Sequence, residues 1–187
     1  MTCRPLRGSA AGATIAILAV LVLAADQFTK YLTVTYLPFQ EVVPVWGGFL
    51  QWYSTTNSGA AFSMGEGVTW VFTIALALVA GIIVWKSVGV RSRLWAIIFG
   101  LLLGGVLGNL TDRLFREPGF AIGHVVDMIL MPWMLPAVFN VADIFIVSGM
   151  IAVALMIILG RRFDGTRERD KVSADAEPSV NSAAPEA

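Results

Sequence analysis

LWAIIFGLLLGGVLGNLT, Leu94 to Thr111, runs for 18 residues without a charge and then meets Asp112-Arg113. A helix that crosses a bilayer needs about 20 mostly apolar residues, with a range of roughly 17–25. Three other runs are of the same kind: Gly8–Ala25 with 18 residues, Gly67–Trp85 with 19 and Ile144–Gly160 with 17. The last reaches upstream to Ala137 if Asp143 is tolerated inside it. In hydrocarbon every backbone polar group must be paired within its own segment, so all four runs predict helices. The expected spans are 9–31, 67–86, 94–113 and 137–160, in one domain over residues 1–163. Beyond it, 164–187 is rich in Asp, Glu, Ser, Ala and Pro and reads as a disordered, solvated tail without chemistry.

The composition agrees. Of 187 residues 57% are apolar and 14% charged, against roughly 25% charged in soluble domains. This excludes disorder as a description of the whole chain and argues against a soluble enzyme. Thirteen Lys and Arg balance 13 Asp and Glu, so nothing points to a nucleic-acid partner. The single cysteine, Cys3, allows neither an internal disulfide nor a cysteine-based metal site. The first run follows Arg4 and Arg7, as a secretory signal would. It is longer than the apolar core of such a signal, and Leu23-Ala24-Ala25 puts Leu where cleavage wants a small residue. It reads as a retained helix. No Cys follows it, so the chain is not itself a lipoprotein precursor.

With the N-terminus inside, ten cations lie on the cytoplasmic side: Arg4, Arg7, Lys86, Arg91, Arg93, Arg161, Arg162, Arg167, Arg169 and Lys171. Three, Lys30, Arg113 and Arg116, lie outside. The positive-inside rule therefore predicts that both termini are cytoplasmic. The first outer loop, 34–66, holds Pro38, Pro44, Gly47-Gly48 and the β-prone run Phe49–Thr56, which predicts strands, a small extracytoplasmic sheet on the outer surface. Trp46, Trp52 and Tyr53 suit the headgroup level. The second, 114–136, is broken by Pro118, Gly119, Gly123, Pro132 and Pro136, with room for a short interfacial piece around Val126–Met131. The fold class is thus an all-α polytopic membrane protein with a small outer sheet.

Polar residues gather at one depth. At 1.5 Å per residue Asp26 is roughly 27 Å above Gly8 and Asp112 roughly 27 Å above Leu94, while Asp143 is about 9 Å below Ala137 on a helix running inward. All fall in the outer third of the membrane, where a carboxylate is costly. Asp26/Lys30 is an i,i+4 pair in the favourable order and reads first as an ion pair closing a helix end. Asn109, Asp112 and Arg113 read as a brace. Asn140 and Asp143 are i,i+3. Asn57-Ser58-Gly59 alone is a turn signal, and Gly104, Gly105 and Gly108 suit close helix packing. Once Lys30, Arg113 and Arg116 have served Asp26, Asp112 and Glu117, no cation remains for Asp127 and Asp143. Two surplus carboxylates at one depth can share a proton and activate a water between them. Weaker candidates are His124 as a lone base, Ser58 with Lys30 as a Ser/Lys pair, and a metal held by Asp127, Asp143 and His124 without a ligand-spacing motif.

These residues occur as Asp26-Gln27-Phe28-Thr29-Lys30, Asn57-Ser58-Gly59-Ala60-Ala61-Phe62, Gly104-Gly105-Val106-Leu107-Gly108-Asn109-Leu110-Thr111-Asp112-Arg113, Val125-Val126-Asp127 and Phe139-Asn140-Val141-Ala142-Asp143. In that order the set resembles the lipoprotein signal peptidases (signal peptidase II). The resemblance implies an aspartic endopeptidase of the bacterial inner membrane that cuts prolipoproteins just before a diacylglyceryl-modified cysteine. It implies Asp127 and Asp143 as the dyad. Asn57, Gly108, Asn109, Asp112, Arg113 and Asn140 would support the site or bind substrate, with Asp26 and Lys30 bracing it. It also implies a β-cradle from the first loop, an interfacial helix in the second acting as a flap, membrane lipid around the substrate, no metal or organic cofactor, and inhibition by globomycin. Two other classes stay open on the residues alone. A transporter or proton relay would need a polar path through the inner half of the bilayer, which these spans lack. A structural adaptor would lose stability but no turnover when Asp127 or Asp143 is replaced.

Overall fold

The computed structural model describes residues 6–59, 68–134 and 137–166. Four helices are long and apolar enough to cross a membrane: α1 (Gly8–Tyr36), α2 (Thr69–Ser87), α3 (Arg93–Phe115) and α4 (Val141–Ile158). α3 is the central one, with 67% of its most apolar window buried against 17–22% in the other three. It packs on α1, α2 and α4. Large apolar side chains such as Leu21, Leu78, Val84 and Ile151 point outward on the other helices, as expected where the solvent is lipid.

Small residues allow the close approach. A Cβ on Gly104 would stand 2.7 Å from the Ala19 carbonyl oxygen of α1, and one on Gly105 2.7 Å from that of Ala142 in α4. At the other end of the bundle Trp95, Phe99 and Phe163 form an aromatic cluster. There the backbone amides of Arg91 and Ser92 donate to the Phe163 carbonyl, tying the segment after α4 to the α2–α3 connection.

The four strands are β1 (Val42–Trp46), β2 (Leu50–Asn57), β3 (Val125–Leu130) and β4 (Val138–Phe139), antiparallel in that order. The sheet therefore takes strands from both outer loops. Pro44 sits in β1, an edge strand, where its missing N–H costs least. The interfacial piece expected at Val126–Met131 is instead β3, and no helix lies between α3 and α4 among the described residues. Val125 to Ile129 are buried, so VVDMIL shows no alternation and its β-branched residues are what mark it as a strand. Ala60–Phe62 and Pro136 lie outside the described residues, as do Cys3 and 167–187.

Two helix ends differ from expectation by four residues or more. α1 continues past residue 31 to Tyr36, with Thr33 and Thr35 hydroxyls bonded to carbonyls one turn back, and stops at Leu37, which precedes Pro38. α4 begins at Val141 rather than 137, because Asn140 caps it and Val138–Phe139 pair with β3.

Candidate active site

The polar residues of α1, α3 and α4 meet in one buried nest. Lys30 has no exposed surface. Its ammonium group lies 2.8 Å from Asp26 Oδ2 and 2.8 Å from Asp112 Oδ2, and donates to Asn109 Oδ1 at 3.0 Å. Asp112 also receives Arg116 at 2.7 Å, one turn on. Two carboxylates thus face two cations, which offsets the cost of burying them. Asp26 reaches α4 as well, accepting from the Ala142 backbone N–H at 2.9 Å. That N–H belongs to the first turn of α4, where helix amides lack internal partners and an anion is favoured. Gly108 makes room for this carboxylate: a Cβ there would lie 2.5 Å from Asp26 Oδ2.

The expected Asp112/Arg113 brace is corrected. Adjacent helix residues do not face one another, and Asp112 is paired with Lys30 and Arg116. Arg113 turns to the backbone, donating to the carbonyls of Ser58, Gly59 and Gly123, and so ties the two outer loops to α3. Its Nε is buried without a hydrogen-bond partner among the described residues. Lys30 is engaged with Asp26, Asp112 and Asn109, which leaves a Ser58–Lys30 pair without support.

Asp127 and Asp143 arrive from different elements. Asp143 is the third residue of α4 and closes a capping box: its backbone N–H donates to Asn140 Oδ1 at 3.0 Å while its Oδ2 accepts from the Asn140 backbone N–H at 3.1 Å. Asp127 lies on β3 opposite Thr55, so Asn57, two residues along β2, is its diagonal neighbour. Asn57 Nδ2 donates to Asp127 Oδ2 at 3.3 Å. Asn57 Oδ1 accepts from the Gly59 backbone N–H at 3.0 Å, so the turn signal and the site residue are one side chain.

Asn140 joins the pair, donating from Nδ2 to Asp127 Oδ1 at 2.6 Å. Asn109 donates to Asp143 Oδ1 at 2.8 Å. All three ion pairs among the described residues go to Asp26 or Asp112, so neither Asp127 nor Asp143 is in one. Burial, and then the charge of Asp143, push the Asp127 carboxyl up to about 7, against the opposing hydrogen bonds from Asn140 and Asn57.

Both carboxylates line a cavity of about 770 Å³ with Asn57, Asn109 and Arg113 at its polar end. Apart from Ser148, its remaining wall is apolar and comes largely from Phe72, Leu76 and Val79 of α2 and Ile144, Val147 and Ile151 of α4. Val79, Val147 and Ile151 are 42%, 57% and 56% exposed, so the cavity is open at the side of the bundle. His124 is not part of its lining.

A family model described as Signal peptidase (SPase) II matches residues 18–159. The chain belongs to the signal peptidase II family. Among curated members, the lipoprotein signal peptidase of Leifsonia xyli subsp. xyli is 48% identical over 170 residues, covering 89% of this chain and 78% of that one. The one from Mycobacterium avium is 46% identical over 154 residues, covering 82% and 83%. A solved bacterial membrane enzyme, determined by the in meso method at 2.3 Å resolution, superposes with a TM-score of 0.69 at 26% identity over 89% of this chain and 93% of that one. Membership makes the protein a membrane peptidase of lipoprotein signal peptides.

Sequence reasoning left Gln27 out of the site. Its Nε2 lies within hydrogen-bond distance of Asp26 Oδ2, the Gly108 carbonyl and Asp112 Oδ1, at 3.1–3.2 Å. Its place between Asp26 and Lys30 was the available signal. The amide of Val126, which donates to Asp112 Oδ2 at 3.2 Å, carries no sequence signal at all.

Proposed function

We propose that Asp127 and Asp143 are the dyad of an aspartic endopeptidase that removes signal peptides from prolipoproteins by cutting before the diacylglyceryl-modified cysteine. The observation that carries the reading is the pairing itself. Asp127, buried, and Asp143, half-buried, lie outside every ion pair among the described residues and are linked through Asn140 at the polar end of a largely apolar cavity. One member is protonated and the other ionised. The ionised one takes a proton from water as the water oxygen attacks the peptide carbonyl carbon, and the protonated one gives its proton to the carbonyl oxygen. The buried Nε–H of Arg113, without a partner among the described residues, is a donor for a substrate carbonyl.

The side opening between α2 and α4 suits acyl chains that stay in lipid while the peptide crosses the sheet. Asp127, Asp143, Asn57, Asn109, Arg113 and Asn140 would touch or orient substrate, and Asp26, Lys30, Gly108 and Asp112 would brace them. The protein would lie in the bacterial cytoplasmic membrane, with both termini inside and the site near the outer face. Globomycin-type cyclic peptides would compete for the cavity.

The test is incubation of the purified protein with a diacylglyceryl-modified precursor. Shortened product should appear, globomycin should suppress it, and Asp127→Asn and Asp143→Asn should each abolish it while the variants still fold and insert. Substantial turnover by either variant overturns the reading.

A further inference from the structure

Hydrogen-bond directions in the nest determine which side chains donate. The Lys30 ammonium has only donors, and it bonds Asn109 Oδ1. The Asn109 amide nitrogen must then face Asp143, which it does, Nδ2 to Oδ1 at 2.8 Å. Asn140 is locked the same way. The backbone N–H of Asp143 claims its Oδ1 at 3.0 Å, which turns Nδ2 toward Asn109 Oδ1 at 3.1 Å and Asp127 Oδ1 at 2.6 Å.

Asp143 consequently accepts on both oxygens, from Asn109 on Oδ1 and from the Asn140 backbone on Oδ2. Asp127 accepts closely on Oδ1 alone, and its Oδ2 has only the 3.3 Å contact from Asn57. A carboxyl proton needs an oxygen that is not already turned to a firm donor. Asp127 Oδ2 is that oxygen.

We propose that the resident proton of the dyad sits on Asp127 Oδ2, that Asp143 is the ionised member, and that Lys30 is a positioning residue which enforces this division through Asn109. The proposal rests on the reading of Asp127 and Asp143 as a dyad. The charged groups facing the pair are Lys30 and Asp26 from α1 and Arg113 from α3, beside the two carboxyls themselves. α2 adds only apolar lining. The rise of Asp127 to about 7 agrees with a proton held there.

The cycle closes without any other reactant. Asp143 takes a water proton as the new C–O bond forms, and the Asp127 proton goes to the carbonyl oxygen. Asp143 then protonates the amide nitrogen as the C–N bond breaks, and a hydroxyl of the diol returns its proton to Asp127.

Infrared spectroscopy of the full chain in vesicles, in mildly acidic buffer, reads the proton directly as the carbonyl stretch of a protonated, buried carboxyl. The band should vanish in Asp127→Asn and persist in Asp143→Asn. It should return in Asp127→Asn/Asn109→Leu, where Asp143 has lost its Asn109 donor; that change spares the Lys30 pairs with Asp26 and Asp112, which Lys30→Met would break. The reverse pattern in the single variants, or no return in the double variant, overturns the proposal. Peptidase turnover is the separate arm. Activity in either single variant sinks the dyad itself, whereas a wrong infrared pattern with both variants inactive sinks only the proton assignment.

Discussion

Asp127 is an acid whose proton is held into the neutral range by burial and by the neighbouring Asp143 charge. The consequence for stability has a definite sign. A carboxyl raised from 3.8 to about 7 on folding contributes stability that is complete below the lower value and is lost as pH climbs through the higher one. Asp127→Asn has no such dependence. Its thermal stability relative to the parent should rise between about pH 4 and pH 7 and level off above, by at most about 4 kcal/mol. A difference that stays flat across that window would remove the raised carboxyl. Parent turnover should fall as pH passes about 7, since the dyad then loses its shared proton. Lys30 illustrates the other cost. Lys30→Met strands Asp26 and Asp112 against a single remaining cation, Arg116, and should destabilise the fold by about 3–5 kcal/mol in detergent melts.

Among elements, α3 sets the spacing of the bundle, and glycine sets α3. Gly104→Ala drives a methyl to 2.6 Å from the Val22 Cβ and 2.7 Å from the Ala19 carbonyl oxygen, so α1 must back away. Overpacking of this kind typically costs about 1–3 kcal/mol. Gly81→Ala in α2 meets nothing within 4 Å and should be neutral or slightly stabilising. Equal melting shifts for the two variants would contradict the packing described for α3. The elements were legible to different degrees for physical reasons. Charge-free runs announce spans because lipid tolerates little else, and all four appear. Asn140 and Asp143 could be singled out because a polar side chain at that depth is expensive, and Asp127 because no cation was left for it, whereas Asn57 read as a turn and joined the site only through the family resemblance. The β3 strand was hidden, since VVDMIL is buried from Val125 to Ile129 and lacks alternation. The partner of Arg113 was hidden too, because a carbonyl from a distant loop leaves no trace in the residue types around it.

For the whole molecule, the sheet is held as one piece by contacts between its loops. Phe49 near the β1–β2 turn stacks on Trp133 of the second loop at 4.8 Å between centroids, and the Trp133 indole N–H donates to the Phe49 carbonyl at 3.0 Å. The orientation proposed for the chain puts that turn outside and the N-terminus within. A cysteine introduced at Gly48, where nothing lies within 4 Å, should react with an impermeant maleimide in intact cells. Cys3 should react only once the membrane is opened. The opposite pattern would invert the topology and carry the site to the inner leaflet.

The lateral mouth between α2 and α4 also changes what concentration means for this protein. A ligand that enters there travels in two dimensions, so its encounter rate follows its mole fraction among lipid or detergent molecules rather than its molarity in the tube. Adding more micelles at fixed enzyme and substrate should slow turnover by surface dilution, and an inhibitor's potency should track how strongly it partitions into the amphiphile.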